Sequence, residues 1–266
     1  MMNVSRDVVV KLLQPNAVIG DDGNRAGATQ TILAADQLGL VETTGTIKLK
    51  FDRTDKRTTR EIVLGALDEI VLSDMSVEPY FAPFYSYVLS LNENGSVSAS
   101  DGDLWENKFT ADVNQGVRGT NPFNKTKLTG LRRWYEYSGL GWFDPAGVFQ
   151  PNPYFRIKRS LARIFGKINK LPGDDFIRRL SEACPELDGG SIYSETTKHI
   201  QTNPENICTL GLSHALVDLH VDEVIRLDCP VDARGWDIGV AVPPRDNTLK
   251  ANKINTVEYL RSKKQK

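Results

Sequence analysis

Apolar residues recur along the chain with the period of an α-helix, and two short extended segments follow each time. The first clear instance is a predicted helix over about residues 29–38, which carries one apolar face. Gly39 comes next, and glycine enters the left-handed conformation at little cost, so it is expected to end this helix. Residues 40–49 then read as a strand, a turn and a return strand. The pattern predicts a helix, a glycine cap and a β-hairpin.

The same order of elements returns in the middle of the chain. Asn124 is a candidate N-cap for a helix over 125–138, and Gly139 is placed to end it. The apolar stripe of this helix consists of Leu128, Leu131 and Tyr135. Residues 140–151 follow as strand, turn and return strand, and the prolines at their end favour an edge position for the second strand.

A third instance is predicted near the C-terminus. A helix over 210–221 leads to a strand at 223–227, and residues 236–242 form the predicted return strand. Further helices are predicted at 7–13, 57–71 and 84–91, and the polar, glycine-rich residues 92–102 read as a linker.

Helix, capping glycine, strand, turn and return strand together resemble the second half of a winged-helix domain. This resemblance implies a helix-rich α+β fold with two or three tandem winged-helix-like units and short β-hairpin wings. The expected units are 1–92, a basic unit at 103–170 and an acidic unit at 171–245, followed by a C-terminal tail at 246–266. Winged-helix domains read duplex DNA with one helix, but others bind only proteins, so the fold alone does not decide the function.

Charge is distributed unevenly, although the formal net charge of the chain is −1. Residues 125–170 contain ten basic and two acidic side chains, a local charge of +8. Residues 205–238 contain seven acidic residues against two arginines. Opposite charges on neighbouring segments indicate different partners for each of them.

The basic segment coincides with the clearest repeat and predicts a surface for double-stranded DNA. A recognition helix in the major groove presents its exposed side chains to bases and phosphates. The candidate DNA-binding residues are Lys125, Lys127, Thr129, Arg132 and Arg133 on the helix and Arg156, Lys158 and Arg159 after the wing. The alternative is that these cations only form a solvated face.

The other two units are not expected to contact DNA in this way. The helix at 29–38 contains no lysine or arginine, which favours a packing role. The acidic third unit should repel phosphate and is expected to bind a protein partner or a second copy of the chain. A protein–protein scaffold without DNA contact is therefore the alternative function.

No motif in the sequence predicts catalysis, so we expect a non-catalytic protein with no cofactor and no metal site. His214 and His220 are six residues apart and do not share the face of a helix that metal-binding pairs use. Residues 20–27 are glycine-rich but lack the lysine of a phosphate-binding loop. Asp174 and Asp175 follow Pro172-Gly173 and are explained by helix capping.

Several such units without an enzymatic motif also resemble the DpdG-like accessory proteins of bacterial DNA-modification and phage-defence clusters. That resemblance implies a DNA-associated adaptor in antiviral defence. Three cysteines without paired spacing and the lack of a long apolar run predict a cytoplasmic protein that does not enter a membrane.

Overall fold

The computed structural model describes residues 4–15, 25–52, 54–73, 79–91, 97–98, 102–113, 122–200, 206–228, 234–239 and 253–261. The chain divides into two compact units, an N-terminal unit of Met1–Val77 and a C-terminal unit of Glu78–Lys266. The predicted helix near residues 84–91, which the sequence assigned to the first unit, lies in the C-terminal unit because it fills the core there.

The N-terminal unit contains a small antiparallel sheet with helices between and after its strands. Its elements are β1 (Val4–Ser5), α1 (Arg6–Leu13), α2 (Ala26–Gln37), β2 (Val41–Glu42), β3 (Thr46–Leu49) and α3 (Thr59–Ala66), which continues as a π-helical turn at Leu67–Val71. The strand order is β1-β3-β2, so the last strand is central and both neighbours run antiparallel to it.

Local sequence signals explain where these elements begin and end. Gly39 has a φ of 66°, and it ends α2 in the left-handed conformation, as predicted. Thr58 and Glu61 form a capping box at the start of α3, because each side chain accepts the backbone N–H of the other. Ile32 of α2 packs with Val41 and Ile47 of the hairpin to form the small core.

The C-terminal unit contains two further groups with a related order of elements. The second repeat consists of α4 (Phe81–Ser90), β4 (Val97–Ser98), α5 (Gly102–Asp112), α6 (Lys125–Ser138), β5 (Gly141–Phe143) and β6 (Val148–Pro151). The third repeat consists of α7 (Tyr154–Phe165), β7 (Lys170–Pro172), α8 (Gly173–Ala183), α9 (Ser191–Thr197), α10 (Leu210–Val221), β8 (Ile225–Asp228), β9 (Trp236–Asp237), β10 (Lys253–Ile254) and β11 (Thr256–Tyr259).

All three groups share one sheet topology. In each, the first strand pairs with the final strand, and the final strand also pairs with the strand that follows the intervening helices. The orders are β1-β3-β2, β4-β6-β5 and β7-β11-β8, and every pairing is antiparallel. The structural repeat that the sequence pattern predicts is therefore present as a repeat of topology.

Strand pairing differs from the sequence prediction at three places. Val97–Ser98, inside the predicted linker, pairs with β6 and makes it the central strand. Pro151 does not prevent this, because β4 pairs only with Val148 and Phe149. The predicted return strand at Trp236 pairs with β10 and not with β8. The strand that does pair with β8 is β11, which lies in the predicted C-terminal tail.

A helix-rich α+β fold with small antiparallel sheets is thus confirmed. α5, α7 and α9 have no counterpart among the predicted helices; α5 buries only two residues and α9 has only seven, so neither of these two gives a clear apolar period. Among the described residues, none of the helices combines the length and apolarity needed to cross a membrane.

The core of the second repeat is built around α4, all of whose residues are buried. Its tyrosines fix the neighbouring elements, since the Tyr85 hydroxyl donates to the Leu140 carbonyl at 2.7 Å. In return, the Tyr135 hydroxyl of α6 donates to the Phe81 carbonyl at 2.7 Å. Stacked and edge-on ring contacts join Phe84, Phe109 and Phe123.

A buried ion pair joins α7 to the loop between α8 and α9. The Arg156 Nε donates to Glu186 Oε1 at 2.9 Å, and both side chains are at most 2% exposed. The remaining guanidinium nitrogens donate to the Ser160 hydroxyl at 2.8 Å and the Ala183 carbonyl at 2.9 Å. Each of the three guanidinium nitrogens therefore donates at least one hydrogen bond, which offsets part of the cost of its burial.

A second buried carboxylate in the same loop holds the start of α10. Asp188 accepts the backbone N–H of Thr209 at 2.6 Å and its hydroxyl at 2.8 Å, and Thr209 is the N-cap of α10. Burial raises the pKa of Asp188 to about 6, although both hydrogen bonds from Thr209 act to lower it.

We predict that Arg156→Met destabilises the C-terminal unit by about 3–5 kcal/mol, because the Glu186 carboxylate stays buried without its cation. The measurement is the urea midpoint of unfolding. Arg156→Met combined with Glu186→Leu should recover part of the loss. Lys158→Met, at an exposed position of the same helix, is the control and should change stability by less than about 0.5 kcal/mol. A wild-type midpoint for Arg156→Met would contradict the assignment.

We predict that Asp188 makes the protein less stable as pH rises. The folded chain keeps the Asp188 proton up to a pKa of about 6, whereas the unfolded chain releases it near its ordinary value of 3.8. The folded state therefore binds more protons between these values, and stability falls by about 2 kcal/mol from pH 4 to pH 7. Urea titrations at pH 4 and pH 7 measure this change in the free energy of unfolding. Asp188→Asn should lack the part of it that comes from Asp188. An identical pH dependence in both proteins would refute the prediction.

Candidate nucleic-acid interface

The predicted recognition helix α6 is anchored by one face. Asn124 caps it as predicted, with its side-chain oxygen accepting the Lys127 N–H at 3.0 Å. Leu128, Leu131 and Tyr135 are buried. Gly139 ends the helix in the left-handed conformation with a φ of 73°. The inner stripe is thereby fixed to the core, so the opposite face is turned to solvent.

The outward face of α6 carries three of the predicted residues. Lys125, Thr129 and Arg133 are all exposed. Among the described residues no ion pair or hydrogen bond holds the Arg133 guanidinium. The Lys125 Nζ lies 3.3 Å from Asp103 Oδ1, but both side chains are more than 60% exposed, so this ion pair is weak. Both cations therefore remain able to meet an anion.

Lys127 lies at the edge of that face, where its side chain is half-buried. Its ammonium group donates to the Pro122 carbonyl and lies 4.5 Å from the centroid of the Tyr80 ring. Carbonyl and ring both stabilise a cation, so Lys127 serves first to fasten the start of α6.

Arg132 connects α6 to the β5–β6 hairpin. Its Nη2 donates to the Gly147 carbonyl at 3.1 Å, and its Cζ lies 4.3 Å from the centroid of the Phe143 ring. Partial burial lowers the pKa of the guanidinium, and its Nε is buried without a hydrogen-bond partner in the described structure. Arg132 is therefore directed at the β5–β6 hairpin, which it positions beside the helix.

The other three predicted residues, Arg156, Lys158 and Arg159, all lie on α7, but the helix turns their side chains to different sides. Arg156 faces the core, so it is removed from the candidate surface; its four-residue spacing to Ser160 places both on the buried side. Lys158 is exposed and its Nζ donates to the Tyr154 hydroxyl at 2.9 Å. The half-buried Arg159 donates to the Ser138 carbonyl at 3.0 Å and so contacts the end of α6.

The corresponding helices of the other two repeats present different surfaces. The exposed side of α2 carries no lysine or arginine. Most of α10 is buried, and its exposed residues are His214 and Asp218. Asp218 accepts a hydrogen bond from the Asn152 amide at 2.8 Å. α6 is thus the helix of the three whose outward face is cationic.

Metal-binding and redox chemistry would depend on histidine, cysteine and acidic side chains. Within the described ranges, no three histidine, cysteine or acidic side chains converge as metal ligands. Burial raises the pKa of the Cys208 thiol, which keeps it protonated, and the buried Cys184 thiol donates to the Ser160 hydroxyl at 3.6 Å. The absence of a metal, a cofactor and catalysis stays a prediction.

Comparison with known protein families gives a match over most of the chain. The model of a family described as DpdG-like matches residues 2–233. No curated protein and no solved structure matches the chain significantly.

We predict that Arg132→Ala loosens the β5–β6 hairpin without unfolding α6. The loss of one charged hydrogen bond and one cation–π contact removes about 1–3 kcal/mol of local stability. Amide hydrogen exchange of Gly147 and Val148 should therefore accelerate. Arg133→Ala, which alters the next residue of the same helix, should leave these amides unchanged. Equal exchange in wild type and Arg132→Ala would show that Arg132 does not hold the hairpin.

Proposed function

Because the chain belongs to the DpdG-like family, we propose that it is a non-catalytic, DNA-associated adaptor that contacts double-stranded DNA through the second repeat. The family supports a role alongside DNA modification and defence. The observation that carries the DNA contact is the outward face of α6, where Lys125 and Arg133 are exposed on a helix anchored from behind.

The topology of the repeats supports a winged-helix interpretation. The elements of the second repeat follow the order of a winged-helix domain, namely α4, β4, α5, α6 and the β5–β6 hairpin. In this order, the hairpin that follows α6 forms the wing. In this interpretation α6 is the recognition helix and enters the major groove. Arg132 then sets the position of the wing instead of reading DNA.

The proposed contact surface consists of Lys125, Thr129, Arg133, Lys158 and Arg159. Arginine and lysine neutralise phosphates, and arginine also reaches guanine with two donors. Each phosphate contact releases counterions, so the slope of log affinity against log salt is expected to be about −0.9 per contact. Binding should therefore weaken steeply as salt increases.

The test compares two arginines by fluorescence anisotropy with a random-sequence duplex across a salt series. Arg133→Gln should weaken binding by about tenfold and reduce the salt slope by about one. Arg226→Gln is the matched control, since Arg226 is 59% exposed on β8 of the third repeat and its nearest carboxylate oxygen, on Glu258, is 3.8 Å away. Equal affinities of wild type and Arg133→Gln would remove α6 from the DNA contact.

A second candidate function is a protein–protein scaffold without DNA contact. It is favoured by the surfaces of the other repeats, since α2 carries no exposed cation and α10 is largely covered. A wild-type protein that binds no duplex at low salt would favour this scaffold over the adaptor.

A further inference from the structure

Three large aromatic side chains are exposed at the C-terminal end of α6. Trp134, Tyr137 and Phe155 are 37%, 39% and 57% exposed. Side chains of this size are usually buried, and contiguous exposed apolar surface marks interaction sites. We call these three residues the aromatic platform.

Contacts place the three side chains around the same end of the helix. The rings of Trp134 and Tyr137 meet edge to face, with centroids 5.6 Å apart. Phe155 packs against Gly139, the residue that ends α6, so closely that a Cβ there would lie 2.6 Å from the Phe155 Cβ. α7 thus presents Phe155 beside the last turn of α6.

The surroundings of the platform are cationic. Arg133 is exposed on the preceding turn of α6, and Arg159 donates to the Ser138 carbonyl at the end of the helix. Lys158 is exposed on the same helix as Phe155, whereas Glu136 is the single acidic residue of α6. An occupant that complements both features is a polyanion that also carries flat, π-rich faces.

Nucleic acid has this chemistry, and unpaired bases expose the faces that a duplex hides by stacking. Aromatic side chains beside a basic surface are the means by which proteins bind single strands without reading sequence. We propose that the aromatic platform stacks unpaired nucleobases, so that the DNA held by the second repeat includes a single-stranded or locally opened segment. This inference rests on the proposed function, because it takes the basic face of α6 as the DNA contact.

The test measures anisotropy of the full chain with a duplex and with the same duplex carrying an internal run of unpaired thymidines. Wild-type protein should bind the opened duplex more tightly. Trp134→Ala and Tyr137→Ala should each weaken binding to the opened duplex by about 5- to 100-fold, because each removes a stacking surface. Their affinity for the closed duplex should change much less. Leu33→Ala, which shortens a 46% exposed side chain of the N-terminal unit, is the control.

Tryptophan fluorescence supplies a readout that a structural role would not change. Oligothymidine should quench the tryptophan emission of the wild type. Trp236→Phe is the control and should be quenched as well, because Trp236 lies in the third repeat, where its Nε1 donates to Asp174 at 2.9 Å. Trp134→Phe should lose most of the quenching while it keeps the apolar bulk at that position.

The outcomes separate the platform from the proposed function. Equal binding of both duplexes, or an unchanged preference in Trp134→Ala and Tyr137→Ala, would overturn the platform and leave duplex binding by α6 standing. A protein that binds neither DNA would overturn both.

Discussion

The C-terminal unit depends on one buried ion pair, Arg156 with Glu186. Two charges in the core are tolerated only with a partner of opposite sign and good hydrogen bonds, and the guanidinium has both, which fixes the position of Arg156 closely. In the same loop, the Glu186 carbonyl accepts a hydrogen bond from the Ser86 hydroxyl of α4 at 2.8 Å. Asp188, two residues later, holds the start of α10. A single short segment therefore joins three helices, α4, α7 and α10.

This junction determines which surfaces remain available. It draws α7 and α10 into the core together with α4, so the helix of the third repeat that corresponds to α6 is mostly covered. α7 is left with one outward face, and that face borders the end of α6 through Phe155 and Arg159. The cationic and aromatic surface thus combines residues from two repeats, and both the adaptor and the platform hypotheses follow from that arrangement.

The candidate site could be predicted from the sequence only in part. The amphipathic period of α6 is a local property, and it placed Lys125, Thr129 and Arg133 on the exposed face correctly. Arg156 has the same charge as its exposed neighbours, and only the carboxylate of Glu186, thirty residues later, explains its burial. Arg132 likewise belongs to the exposed stripe by its spacing, but the β5–β6 hairpin partly covers it through Gly147 and Phe143.

The sequence by itself determined the elements whose causes are local. Gly39 and Gly139 end their helices because glycine enters the left-handed conformation easily, and Asn124 and Thr58 begin helices by accepting nearby N–H groups. Only the tertiary structure decided that the strand at Val97–Ser98 joins β6 and that β11 becomes the centre of the third sheet. Very short strands carry almost no periodic signal, and their stability comes from partners distant in the chain, so their pairing is fixed only when the whole unit folds.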